Sequence, residues 1–264
     1  MNIRQHGLDA AVTAGLSREL RERHADLFRL GDQCAQVGVD LAARLAEARS
    51  KRQIIVGQFF ARTLSHFQGA FLLAETGMAI ESLTLSRSLV ETCFVMLAIV
   101  EDAVTPEELL QHDLAMRLKH ANVLRTSRNY PNVAPMRSTL DAFAEKAAGA
   151  KEIGFQEFAK RGKALAAYDG LYRHLSNNAL HATLSAVEDY LVKADDVRFA
   201  VVFRPLIEKT GVAVLTACVG IIIAAKATAR TGLSTPEIDA AVSEIWEAYV
   251  ALDAQHNPWS RSGN

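Results

Sequence analysis

Proline, cysteine and net charge are all scarce in this chain, and the lack of net charge excludes one class of function. The 264 residues include 6 prolines and 3 cysteines. Lysine and arginine together number 29, aspartate and glutamate 30, so the formal net charge is −1. Proteins that coat duplex DNA carry a clear basic excess. A DNA-coating role is therefore excluded, whereas RNA or a nucleotide bound at a local site is not.

The three cysteines indicate a reducing compartment. Cys34, Cys93 and Cys218 are far apart and form no CxxC pair. A thiol in an apolar run behaves as a small hydrophobic residue, and disulfides belong to oxidising compartments. The first residues, MNIRQHGLDAAV, lack the apolar core of a secretory signal. We therefore expect a cytoplasmic protein.

The strongest membrane candidate is too short to span a bilayer. It reads GVAVLTACVGIIIAA and covers residues 211–225. A spanning helix needs roughly 20 residues, and shorter apolar runs are typical of buried core helices. We therefore expect no membrane association.

Apolar residues recur at helical spacing along almost the whole sequence, which predicts an all-α fold. Residues 197–203 could be extended, but one such segment is too little for a sheet. No polar linker is long enough to separate two domains. We predict a single multi-helix bundle of about seven to nine helices at 51–256, with an N-terminal helical extension at 1–50 and a frayed tail at 257–264.

Local chemistry predicts several helix boundaries. Gly77 is a natural C-terminal stop. Thr105, Pro106 and Glu108 supply a cap, a first helical residue and a capping box. Within the first fifty residues, a helix break is expected near Gly31 or Gly38.

Arg87 and Glu91 lie one helical turn apart in LSRSLVET, residues 85–92, and therefore share a helix face. Apolar residues lie above and below them on that face. Arginine before glutamate is the weaker order for a surface pair. Three interpretations stay open: a buried structural ion pair, an arginine that holds an anion in a core pocket, and an exposed surface pair.

The stretch YRHLSNNALH, residues 172–181, concentrates polar side chains within a helical pattern. Serine, asparagine and histidine are mediocre helix formers, so a tertiary role must select them. The candidate site residues in this stretch are Tyr172, Arg173, His174, Ser176, Asn177, Asn178 and His181.

Four interpretations of this stretch stay open: a structural hub, a hydrolytic or transfer site, a metal site and a solvated helix face. A structural hub would bond the patch to Arg87, Glu91 or backbone. A hydrolytic or transfer site would use His181 as acid or base and Arg173 to stabilise an anion. A metal site would use His174 and His181, but no carboxylate or cysteine lies one turn from either. We predict no metal and, because no Gly-rich phosphate loop or dinucleotide fingerprint occurs, no cofactor.

Together the two segments resemble a family of bacterial all-helical proteins classed as domains of unknown function. Its members carry an Arg-Ser-Leu-x-Glu helix and a later Tyr-x-x-Leu-Ser-x-x-x-His helix, and this chain has one residue more before its histidine. The resemblance covers residues 55–225 and implies a helical fold with shared core residues, but no reaction. The matching positions are Arg87, Leu89, Glu91, Tyr172, Ser176 and His181.

The second segment is also similar to the motif of higher-eukaryote-and-prokaryote nucleotide-binding (HEPN-like) helical domains. Many of these are metal-independent ribonucleases of toxin and phage-defence systems. Their hallmark is Arg, four to six residues and then His, whereas seven residues separate Arg173 from His181 here. The resemblance implies cleavage of RNA or a nucleotide, and a homodimer whose two motifs face each other.

Two functional hypotheses follow. In the first, a stress or defence ribonuclease or nucleotide-binding protein uses His181 as general acid or base and Arg173 to stabilise phosphate charge. The second is a non-catalytic binding or assembly module, in which the patch is a hydrogen-bond network closed to solvent with no cavity beside it. The residues assigned to substrate binding or orientation in the first hypothesis are Tyr172, His174, Ser176, Asn177, Asn178, Arg87 and Glu91.

Overall fold

The computed structural model describes residues 8–127, 134–180, 183–195 and 198–256, and the fold is all-α, as the apolar spacing predicts. The predicted frayed tail lies outside the described residues. The first half of the described chain forms long helices: α1 (Ala10–Arg23), α2 (Ala25–Arg44), α3 (Lys51–Glu75), α4 (Ala79–Val100) and α5 (Pro106–Thr126).

The second half mixes short and long helices. Residues 165–180 form one irregular helix, α8, in which α-helical Leu165–Ala167 and Arg173–Leu175 alternate with π-helical Tyr168–Tyr172 and Ser176–Leu180. The other helices are α6 (Arg137–Lys146), α7 (Phe155–Arg161), α9 (Leu184–Val187), α10 (Thr210–Ala229) and α11 (Pro236–His256).

The helix boundaries at Gly77 and Thr105 are confirmed. Helix α3 ends at Glu75, and Gly77 follows with a φ of 74°. The amide of Met78 donates to the Leu73 carbonyl at 3.0 Å, which is the closing bond of a Schellman motif. At Thr105, the hydroxyl accepts from the Glu108 amide at 3.1 Å and the Glu108 carboxylate accepts from the Thr105 amide at 2.9 Å.

The break predicted near Gly31 or Gly38 is wrong. The chain turns at His24 instead, and both glycines lie inside α2. A Cβ added at Gly31 would lie 2.0 Å from Phe71 Cε2, and one at Gly38 would lie 2.6 Å from Leu64 Cδ1. These glycines therefore let α3 approach α2 closely, and this packing outweighs their poor helix propensity.

Helix α10 lies at the centre of the fold, packed against α2, α3, α4 and α11. Among the described residues, two segments are apolar enough to span a membrane by length and composition alone: Ala79–Val100, with a mean hydropathy of 1.7, and Ile207–Ala229, with 2.1. Their most apolar windows are 67% and 72% buried inside the protein. Core helices pass the same test, so burial in this core accounts for their apolar composition.

The N-terminal helices share this core. Leu20 on α1 and Leu27 on α2 are completely buried within it. Arg21 forms ion pairs with Asp32, at 2.9 Å, and with Glu75. These contacts attach α1 to both α2 and α3.

In the part of the chain that the structure describes, a two-stranded antiparallel ribbon lies between α9 and α10 in sequence. Strand β1 (Leu191–Lys193) pairs with β2 (Phe199–Val201), with Leu191 opposite Val201 and Lys193 opposite Phe199. Strand β2 lies in the segment that the sequence marks as extended. Strand β1 lies outside that segment and pairs with it, so the expectation that one extended segment is too little for a sheet is wrong.

His112 makes the stability of the fold sensitive to acid. Its Nδ1 accepts a hydrogen bond from the Ile153 amide at 3.1 Å, which requires a neutral ring. Burial lowers the pKa of His112, as it does those of His24 and His66. The unfolded chain therefore binds more protons than the native one below about pH 6.5, where free histidine titrates.

We expect the free energy of unfolding to fall as the pH is lowered through 6.5, measured by urea unfolding between pH 7.5 and 5. His112→Asn keeps a hydrogen-bond acceptor but cannot be protonated, so the free energy of unfolding of this variant should depend less steeply on pH. A slope unchanged in this variant would contradict the assignment to His112.

Candidate functional site

Helices α4 and α8 carry a polar network at the place where they pack together. The Arg87 guanidinium donates from Nε to the Ser176 hydroxyl at 2.9 Å and from Nη2 to the Tyr172 hydroxyl at 2.8 Å. The Tyr172 hydroxyl donates to Glu91 Oε1 at 2.9 Å, and Arg87 Nη2 lies 3.0 Å from the same oxygen. We call these four residues the polar network.

The network is largely shielded from solvent. Tyr172 is 8% exposed and Ser176 9%, and the side chains of Arg87 and Glu91 are 15% and 16% exposed. Burial, and then the neighbouring Glu91 carboxylate, raise the pKa of Tyr172 although Arg87 opposes them. Tyr172 therefore stays protonated and can donate to Glu91 while it accepts from Arg87.

An aromatic cluster packs around the network. The Tyr172 ring stacks on Tyr168 with centroids 5.0 Å apart, and it contacts Phe94 edge-on at 5.8 Å. Phe155 lies 6.2 Å away, and the Arg87 guanidinium lies 4.9 Å from the Tyr172 ring centroid. The Tyr172 ring therefore contacts the Arg87 guanidinium, and the other rings pack around Tyr172, which helps to shield the ion pair from water.

The other predicted site residues are not part of this network. Arg173, His174 and Asn177 lie on the exposed surface of α8. His181 and the side chain of Asn178 lie outside the described residues. Among the described residues, no group of three or more histidine, cysteine, aspartate or glutamate side chains is placed to hold a metal ion.

The backbone of α8 is irregular at the network. Both Tyr172 and Ser176 lie in its π-helical turns. The Thr84 hydroxyl on α4 donates to the Ala179 carbonyl at 2.8 Å, in the second of these turns. Wider turns of this kind recur at functional sites, and here they set which side chains α8 presents on each of its faces.

Another face of α8 forms one wall of a cavity of about 520 Å³. The cavity runs from exposed Gly170 and His174 to buried Leu175 and Leu215. Roughly 300–1,000 Å³ is the range of small-molecule sites, which are mostly apolar with a few polar groups. The apolar side chains that line it come from α4, α8 and α10: Leu83, Leu171, Leu175, Val212, Leu215 and Val219.

Four polar residues also line the cavity. The Thr216 hydroxyl donates to the Val212 carbonyl at 2.7 Å, and the Tyr249 hydroxyl lies 3.5 Å from Asp253 Oδ1. Partial desolvation at the cavity wall raises the pKa of Tyr249 and lowers that of His174, so both rings are neutral at pH 7. Asp253 is the one side chain with a formal charge among the described residues that line the cavity.

Residues 53–198 match a family described as "Family of unknown function (DUF5677)". This region is more than half of the chain. The chain belongs to this family. The predicted resemblance to a family of unknown function is thereby confirmed, whereas the likeness to HEPN-like domains stays a prediction. No curated protein and no solved structure matches the chain.

The family region contains all four residues of the polar network, but only one side of the cavity. Leu83 and the α8 residues lie within 53–198, whereas α10 and α11 follow it. Thr216, Tyr249 and Asp253 were not predicted from the sequence, because they lie on α10 and α11, outside the two segments that carry the predicted site residues. The one-turn spacing of Tyr249 and Asp253 was the only available signal, and it is common on any amphipathic helix.

Proposed function

We propose that this protein is a non-catalytic helical binding protein that takes a small apolar molecule into the cavity beside α8. The observation that carries this proposal is the cavity itself, a largely apolar space that reaches from the surface into the core. The polar network lies on a different face of the same helix and fixes that helix to α4. In this proposal the network is architectural, and the ligand contacts the other face.

The proposal departs from the original binding-module hypothesis, which expected no cavity beside the network. It keeps the expectation that the network is structural. The described residues form eleven helical segments, more than the seven to nine that the sequence predicts. We further propose that these helices form one bundle with an N-terminal helical extension, in a bacterial, cytoplasmic protein.

The lining of the cavity supports a ligand with an apolar body and a cationic or hydrogen-bond-donating head. The carboxylate of Asp253 attracts positive charge, and His174 and Tyr249 are neutral. A carboxylate or phosphate head would face like charge and lose its hydration. A straight-chain primary amine fits these requirements.

The test is a calorimetric titration with decylamine and decanoate below their micelle concentrations and with decanol below its solubility limit. We expect affinity to decrease in that order, by about tenfold from the amine to the alcohol. Asp253→Asn should remove the difference between amine and alcohol. Failure of all three compounds to bind the parent protein would contradict the proposal.

Gly170 offers a way to block the cavity without disturbing the core. It lines the cavity, and a Cβ added there meets nothing within 4 Å. Gly170→Phe should therefore fold normally and lose decylamine binding at least tenfold. Ala166→Phe is the matched control, since Ala166 is exposed on the same helix and does not line the cavity. Equal binding by both variants would place the ligand elsewhere.

RNA or nucleotide cleavage is the second candidate function. It is favoured by the exposure of Arg173, His174 and Asn177 on an irregular helix. In that case Arg173→Ala and His181→Ala would each abolish cleavage of single-stranded RNA. Because Arg173 is exposed, Arg173→Ala should leave the free energy of unfolding within about 0.5 kcal/mol of the parent, as ordinary surface substitutions do. The absence of any cleavage by the parent protein would reject this candidate.

A further inference from the structure

The β1–β2 ribbon exposes a face that carries three large apolar side chains and Lys193, which lies opposite Phe199. Both strands show the same alternation, in which Val192 and Ala200 are partly covered while their neighbours face outward. The exposed fractions are 48% for Leu191, 65% for Phe199 and 82% for Val201. Phe203, two residues beyond Val201 on the same alternation, is 62% exposed.

Helix α9, just before the ribbon in the chain, also exposes large apolar side chains. Leu184 is 89% exposed and Val187 is 51% exposed. A two-stranded ribbon by itself is marginally stable in water, and large apolar side chains grouped on a surface mark an interaction site. We call these residues the ribbon patch: Leu184, Val187, Leu191, Phe199, Val201 and Phe203.

The charges around the ribbon patch argue against a nucleic acid or an anionic membrane as the partner. Arg198 is paired with Asp195 at 2.5 Å and Arg204 with Glu208 at 2.8 Å. Lys209 is paired with Asp189 at 2.5 Å. Binding to phosphates or to anionic lipids requires basic side chains that are free to neutralise them. The partner should therefore present an apolar, electrically balanced surface, as the ribbon patch itself does.

The area of the ribbon patch fits an interface between two protein chains. It is on the order of 600 Å² if each of the six side chains is counted at about 150 Å² multiplied by its exposed fraction. A standard interface buries about 800 Å² on each partner, of which a polar rim supplies part. A twofold axis places the same surface on both partners, so an apolar, self-complementary face suits a second copy. We propose that the ribbon patch is the interface between two copies of this chain.

The proposal is independent of the cavity and of the HEPN-like motif. It places the dimer contact on 184–203, whereas the motif resemblance implies that α8 faces its counterpart. Analytical ultracentrifugation of the full chain between 1 and about 200 µM gives the dissociation constant. We expect a dimer in the parent protein and at least a hundredfold weaker association in Val201→Glu.

Val123→Glu is the matched control, because Val123 is 62% exposed on α5 and lies outside the ribbon patch. This variant should dimerise like the parent, and the far-ultraviolet circular dichroism of both variants should match that of the parent. A monomeric parent, or equal dimerisation of both glutamate variants, would overturn the proposal. If the parent is monomeric and co-sediments with neutral phosphatidylcholine vesicles, the ribbon patch binds a lipid surface and the dimer proposal is wrong.

Val201→Cys adds a test that does not depend on weakened association. The cysteines at 34, 93 and 218 are all buried, so an introduced surface thiol reacts alone. Mild oxidation should give covalent dimers of Val201→Cys and none of Val123→Cys. Equal cross-linking of both would show random collision and reject the interface.

Discussion

Arg87→Ala is expected to lower the free energy of unfolding by about 3–5 kcal/mol. The substitution leaves the Glu91 carboxylate and the Tyr172 hydroxyl largely buried without their cationic partner, and removing one partner of a buried ion pair has a cost of this size. Arg117→Ala removes an exposed pair with Asp113, whose side chains are 67% and 51% exposed, and should change stability by less than about 1 kcal/mol. Urea unfolding at pH 7.5 measures both.

Replacing both charges at once distinguishes the cost of leaving a buried charge without its partner from the cost of losing packing contacts. Arg87→Met combined with Glu91→Leu replaces both charges by apolar groups and should recover most of the loss. Tyr172→Phe removes one hydroxyl, keeps the ring stacking, and should cost about 1–2 kcal/mol. If Arg87→Ala were as stable as the parent and instead lost ligand binding, the network would be a binding site rather than architecture.

Gly220→Val is the second substitution with a large expected effect, a loss on the order of 3 kcal/mol. Gly220 lies on α10 where that helix meets α4, and a Cβ there would lie 1.9 Å from Leu89 Cδ2. Leu89 is completely buried, so it cannot move aside without displacing other core residues. Thermal or urea unfolding gives the loss.

Gly170→Val provides the comparison, because the same substitution in α8 meets open space. It should change stability by no more than about 1 kcal/mol. Leu89→Ala combined with Gly220→Val should be less destabilised than the sum of the two single changes, because the valine fills the space that the truncated Leu89 leaves. Additive losses would show that the valine is not limited by Leu89.

The polar network was largely predictable from sequence, and the cavity was not. Arg87 and Glu91 stand out because charged residues one turn apart interrupt an apolar helix face, and Tyr172 and Ser176 stand out in the same way. The two pairs bond to each other once the polar face of α4 packs against the polar face of α8. The cavity depends on where α10 and α11 lie relative to α8, and no local pattern encodes a space between three helices.

The glycines show that local requirements can be predicted from sequence, whereas tertiary packing cannot. Gly77 was correctly predicted as a helix end because its positive φ is a local requirement. Gly31 and Gly38 were misjudged because their reason is tertiary, the close approach of α3. The three-residue strand β1 was missed since so short a segment has no periodicity to detect.

Trp246 reports directly on the cavity, because its ring stacks on Tyr249 with centroids 5.5 Å apart. The chain has 2 tryptophans, so Trp259→Phe leaves Trp246 as the one fluorophore of its kind. The most direct test is to titrate this variant with decylamine and follow Trp246 emission, with and without Gly170→Phe. We predict a saturable change that Gly170→Phe abolishes. Saturable binding without any change at Trp246, or a change that persists in Gly170→Phe, would contradict a binding site beside α8.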